Sequence, residues 1–202
     1  GIRGTEMLPL TEITYSPKGI ANKNYKDNTF SIEAWAVLPA YNTTATIVGD
    51  SITNTGIFYE NGNIIFKVGT NKAEHTVSNS EAIHIVGIFQ SSLLSLYVNG
   101  LLVDTASMDN YKFSNDIETF KSGPSTGKFV IDSVGFYRYA LSPSQILSHY
   151  NEGVKEVNVS QIVSIDNGYL FSMNTESMQR KFSYTYPVSK LWGELNINGQ
   201  YL

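Results

Sequence analysis

Leu93-Leu94-Ser95-Leu96-Tyr97-Val98-Asn99-Gly100-Leu101-Leu102-Val103-Asp104-Thr105 is the stretch whose reading decides the fold. Leu94, Leu96 and Val98 fall on one face and Ser95 and Tyr97 on the other, the period-two alternation of a sheet with one buried side. The Asn99-Gly100 pair at its centre tolerates the positive φ values that a tight two-residue hairpin turn demands. A second such unit runs from Gly56 to Gly69 and turns at Asn61-Gly62. Outward from these hairpins, the pattern predicts strands over residues 29–38, 45–48, 75–77, 82–90 and 128–139. Short strands separated by turns, with no helical crossovers to support a parallel sheet, indicate an all-β, two-sheet antiparallel sandwich.

One helix interrupts this texture. In the run from Leu141 to Gly153, Ser142 is placed to cap, Pro143 occupies the first helical position and Gln145 completes a capping box. Gly153 ends the helix, and Ile146, Leu147 and Tyr150 give it one apolar face, which is expected to pack on an edge or end of the sandwich. After Gly153 the texture changes: residues 154–163 alternate, 168–173 and 181–186 read as strands, and Asn198-Gly199 offers a turn. We therefore divide the chain into a sandwich, 1–153, and a β-rich extension or start of a following domain, 154–202, the latter too small to be expected to hold an independent core.

Composition narrows the chemistry. The 202 residues carry 16% charged side chains against roughly 25% in an average protein, with 13 Tyr and 10 Phe, a balance that favours strands over solvated helices. A net charge of −4 with 14 Lys and Arg is unsuited to neutralising a row of phosphates, so nucleic acid is not expected as a partner. Cysteine is absent, which excludes disulfides, thiolate metal sites and thiol nucleophiles. No apolar run reaches the ~18 residues of a membrane span, so no membrane partner is expected, and no targeting segment is visible. The chain opens at Gly1-Ile2-Arg3 without methionine, as a fragment would.

Three stretches taken together carry a family resemblance: Phe30-Ser31-Ile32-Glu33-Ala34-Trp35; His84-Ile85-Val86-Gly87-Ile88-Phe89 followed by Leu94-Ser95-Leu96-Tyr97-Val98-Asn99-Gly100; and Ile131-Asp132-Ser133-Val134-Gly135-Phe136-Tyr137-Arg138-Tyr139-Ala140-Leu141-Ser142. In order and spacing they resemble the laminin-G-like branch of the concanavalin-A-like lectin/glucanase superfamily, over roughly residues 10 to 153. Where that family usually carries Asp-Gly after the histidine strand, this chain has Gln90-Ser91-Ser92. The resemblance implies a jelly-roll sandwich with one concave sheet, and for His84 a packing or hydrogen-bonding role. It also implies a structural Ca²⁺, held by Asp132, which matches the family's aspartate by position, with oxygens from the Asp27-Asn28 region. Hard oxygen donors without thiolates suit that ion. Asp50 is a weaker alternative.

Glycoside hydrolysis, which the superfamily also raises, needs two suitably spaced carboxyl groups. Only Asp116 and Glu118 stand two apart, Phe occupies position 120, and the stretch reads as loop, so both are taken as solvated acids and hydrolysis is set aside. His75, His84 and His149 lack the paired spacing of a zinc site, and no nucleophile elbow or phosphate loop occurs. A carbohydrate platform would instead use exposed aromatic faces with nearby polar side chains. Tyr59 and Tyr97 beside the hairpins, Glu33 on the strand face of Trp35, and the loop residues Tyr41, Tyr111 and Phe113 are the candidates, with Trp35 itself read as packing. The expected function is a non-catalytic recognition and adhesion module that binds a glycan or protein surface. The alternative is a structural assembly domain of a phage tail, virion or bacterial surface appendage, in which the sandwich makes homo-oligomer contacts.

Overall fold

The computed structural model describes residues 5–7, 12–17, 19–24, 28–78, 82–90, 92–108, 111–123, 125–154, 158–165 and 168–174. In chain order these form β1 (Thr5–Met7), β2 (Ile13–Tyr15), β3 (Thr29–Val37), β4 (Thr44–Asp50), β5 (Thr55–Glu60), β6 (Asn63–Val68), β7 (Asn71–Thr76), β8 (Ala82–Gln90), β9 (Leu93–Val98), β10 (Leu101–Ser107), β11 (Phe120–Ser122), β12 (Phe129–Tyr137), α1 (Pro143–Gly153), β13 (Asn158–Ile165) and β14 (Gly168–Asn174). The chain divides into two compact units: Thr5–Tyr150, and Gly1–Gly4 with Asn151–Leu202. The first holds two six-stranded antiparallel sheets, ordered β1-β12-β3-β8-β9-β10 and β2-β11-β4-β5-β6-β7; the second holds the antiparallel pair β13-β14. The strand predicted over 181–186 and the Asn198-Gly199 turn lie outside the described residues.

Both Asn-Gly turns adopt the conformation their chemistry allows, with φ of 49° and 89° at Asn61 and Gly62 and 51° and 81° at Asn99 and Gly100. Alternation then sorts the side chains. Phe30, Ile32, Ala34 and Ala36 of β3, Ile85 and Phe89 of β8, and Leu94 and Leu96 of β9 face Ile57, Tyr59, Ile64 and Phe66 of the other sheet across a continuous core. Gly87 occupies an inward position of β8 where a Cβ would overlap the Phe66 ring, so this glycine sets how closely the two sheets approach. The short strands β1, β2 and β11 were not foreseen, because three residues are too few to display a period. On one open side the sheets meet through the Asp104 carboxylate of β10, which accepts the Glu74 N–H of β7 at 2.8 Å.

The helix corrects the expected packing: α1 lies on the outer face of the first sheet and not on an edge or end. Leu141 and Ile146 are buried there against Val86 and Ile88 of β8 and Tyr97 of β9. The turn into the helix is clamped by Ser31, whose hydroxyl donates to the Tyr139 carbonyl at 2.9 Å and accepts the Leu141 N–H at 2.9 Å. The capping box forms as predicted, with Gln145 N–H donating to Ser142 Oγ at 3.3 Å and Ser142 N–H to Gln145 Oε1 at 2.9 Å. Among the described residues no helix is long and apolar enough to cross a membrane.

Candidate functional site

Two connecting segments, the one between β2 and β3 and the one between β10 and β11, enclose a groove of about 540 Å³ lined by Ser16, Gly19, Ala21, Asn22, Asp116, Ile117, Glu118 and Thr119. The segments are anchored from below, since Ile20, Ala21 and Ile117 are buried in the core and Ile117 N–H donates to the Ala21 carbonyl at 3.1 Å. Buried Asn28 shapes the first segment: its Oδ1 accepts Asn22 N–H and its Nδ2 donates to the Asn22 carbonyl, each at 2.9 Å. Asp116 Oδ1 then accepts the Lys23 N–H at 2.8 Å, fastening one wall to the other. The Arg138 guanidinium crowds Gly19, whose φ is +73°, so closely that a Cβ there would lie 2.8 Å from Nη2. The result is a loop-built concavity with two carboxylates, two hydroxyls and an amide along its walls and Ala21 and Ile117 as apolar floor. Its volume lies in the range of small-ligand sites.

Sequence reasoning set aside Asp116 and Glu118 as solvated loop acids, yet both line this groove. Both are exposed there.

The residues proposed as ligand contacts fare differently. Tyr59 is wholly buried between the sheets, because the alternation that turns Phe58 outward turns Tyr59 inward. Tyr97 does point to the outer face, but α1 covers it. Neither ring is available to a ligand in this fold. Tyr111 is half-buried, packed edge-on against Phe113 at 5.0 Å and Phe89 at 6.3 Å, and burial raises its phenol above the usual range. Phe113 is buried with it. Tyr41 remains 63% exposed, with its ring against the Asn61-Gly62 turn. Among the described residues that line the groove none is aromatic.

Glu33 is also withdrawn from ligand contact, for a different reason. It is 8% exposed on the outer face of β3, where Oε1 meets His84 Nε2 at 2.7 Å and Oε2 accepts the Tyr137 hydroxyl at 2.6 Å. His149 Nδ1, from α1, lies 3.0 and 3.1 Å from the two oxygens. Burial works against the charge of Glu33, but the hydrogen bonds from His84 and Tyr137 and the charges of the two imidazoles outweigh it and hold the carboxyl below its usual range. Burial first, and then the Glu33 carboxylate, push the Tyr137 phenol far above its ordinary value. Trp35, buried as expected, packs 4.9 Å from His84 and stacks 6.0 Å from Tyr150 of α1.

Of the metal candidates, Asp27 lies outside the described residues. Asp132 is half-buried on β12 beside the register shift between Ile131 and Val134. Among the described residues no group of three or more His, Asp and Glu side chains is placed to hold a metal ion, and Asn28 Oδ1 is already used within its loop.

Residues 15–147 match a family model described as the concanavalin A-like lectin/glucanases superfamily. Among solved structures, the binding domain of botulinum neurotoxin serotype G is similar with a TM-score of 0.55 and 14% identity, over 76% of this chain and 48% of that one. The receptor binding domain of botulinum neurotoxin type G gives 0.54 and 12%, over 85% and 57%. The binding domain of botulinum neurotoxin DC in complex with SialylT gives 0.52 and 13%, over 87% and 57%. At these identities the likeness is one of fold, and the chain spans 48% to 57% of the length of these structures. No curated protein matches the sequence.

Proposed function

Because this chain belongs to the concanavalin A-like lectin/glucanases superfamily, we propose that it is a non-catalytic recognition module that takes a glycan in the groove between the β2–β3 and β10–β11 connections. The observation that carries this reading is the groove itself, whose exposed carboxylates, hydroxyls and amide match the donors of a polyhydroxylated ligand above an apolar floor. The test is a glycan array followed by titration calorimetry of any hit against Asp116→Asn and Glu118→Gln. Each substitution is expected to weaken binding at least about tenfold, the ~1.4 kcal/mol of one charge-assisted hydrogen bond. A hit that binds both variants as well as the parent would remove the groove from the proposal, and release of reducing sugar abolished by either variant would replace recognition with hydrolysis.

A second reading, an assembly domain, is favoured by Leu101 and Leu102, 66% and 52% exposed on the edge strand β10, with Leu147 of α1 beside Gly100. It predicts a concentration-dependent oligomer, by light scattering, that Leu101→Ser with Leu102→Ser dissociates. Calcium at Asp132 stands as a separate proposal that rests on the family resemblance.

A further inference from the structure

We propose that α1 is an acid-released latch, in which the buried Glu33 carboxylate fastens the helix to the outer face of the first sheet through His149 and lets it lift when that carboxylate is neutralised. The geometry divides the work between the elements. His84 from β8 and Tyr137 from β12 hold Glu33 within the sheet, at 2.7 and 2.6 Å, whereas His149 is the partner supplied by the helix. Facing the carboxylate are thus His84 from β8, Tyr137 from β12 with Tyr139 packed edge-on behind it at 5.7 Å, and His149 from α1, with Tyr150 of α1 lying over His84 at 6.1 Å.

The two imidazoles are not equivalent. His84 is fully buried, and its Nδ1 has no hydrogen-bond partner among the described residues. The His149 side chain is 37% exposed, so the partner that the helix supplies is the one solvent reaches. That makes the ion pair an interaction between helix and sheet.

The sign follows from the depressed carboxyl of Glu33. Its contribution is present above the unfolded carboxylate value and disappears as pH falls through the lower folded value. Once protonated, Glu33 offers His149 no negative charge to pair with, and the helix loses its charged tie to the sheet. Lifting α1 then exposes Trp35, which Tyr150 stacks upon, and the Val86, Ile88 and Tyr97 patch beneath Ile146.

The test uses the full chain carrying Trp192→Phe, which leaves Trp35 as the sole tryptophan of the two in the sequence. Trp35 emission and amide exchange are followed from about pH 7 to about pH 3. Expected is a change in Trp35 emission together with at least about tenfold loss of protection in α1, while amides of β3 and β8 keep theirs. His149→Gln is expected to show α1 already loosened at neutral pH and to lose most of the acid transition. Tyr137→Phe, which removes a hydrogen bond that favours the ionised carboxyl, is expected to move the midpoint to higher pH. Loss of protection in α1 and in the core strands at the same pH would overturn the latch, as would an acid transition unchanged in both variants.

Discussion

At the scale of single residues, the most consequential positions are those where a side chain is absent or has no alternative partner. Gly87 is the clearest case, since the opposite sheet contributes the Phe66 ring where its Cβ would stand. Gly87→Ala forces Phe66 off its rotamer or the sheets apart, and an overpacked core costs about 1–3 kcal/mol. Urea denaturation should register that loss with an unchanged m-value, and a variant as stable as the parent would show that the sheets yield at this point. Glu33 shows the opposite economy: one carboxylate answers three donors from three elements. Its identity as an outward strand residue follows from alternation alone. Its removal from solvent does not, because nothing local to β3 announces a covering helix. His149 was likewise unreadable as a partner; it stands 116 positions away.

At the scale of elements, local chemistry and observed structure agree closely. The two hairpins turn at Asn-Gly, and the α1 capping box closes on the residues its spacing designates. Ser142→Ala removes the cap and should cost about 1 kcal/mol, read as faster amide exchange over the first turn of α1 with β3 and β8 unaffected. An exchange pattern identical to the parent would mean that packing of Leu141 and Ile146 alone sets the helix start. Where the helix lies was misjudged, because an apolar stripe specifies that something must cover it and not what. The covering is settled by Ser31, whose hydroxyl turns the chain after β12 back over β3.

At the scale of the whole molecule, the sandwich brings together segments that sequence order keeps apart. Lys23 and Asp116 are 93 positions apart and hydrogen-bonded across the groove. The tertiary arrangement also bears on calcium. If Asp132 holds the ion with backbone oxygens, millimolar CaCl₂ should raise the melting temperature over that in EDTA by several degrees, an effect of ~1–2 kcal/mol of linkage, and Asp132→Asn should abolish the rise. Identical melting in both solutions would retire the ion. What the sequence by itself determined is the longer strands, their two tight turns, the capped helix and the sandwich class, because alternation, positive φ and capping are decided within a few neighbouring residues. Which tyrosines remain open, why Glu33 is buried and where two loop acids come to line a groove were decided by tertiary structure alone. Exposure and proximity depend on what a distant part of the chain lays over a residue, and no local pattern encodes that.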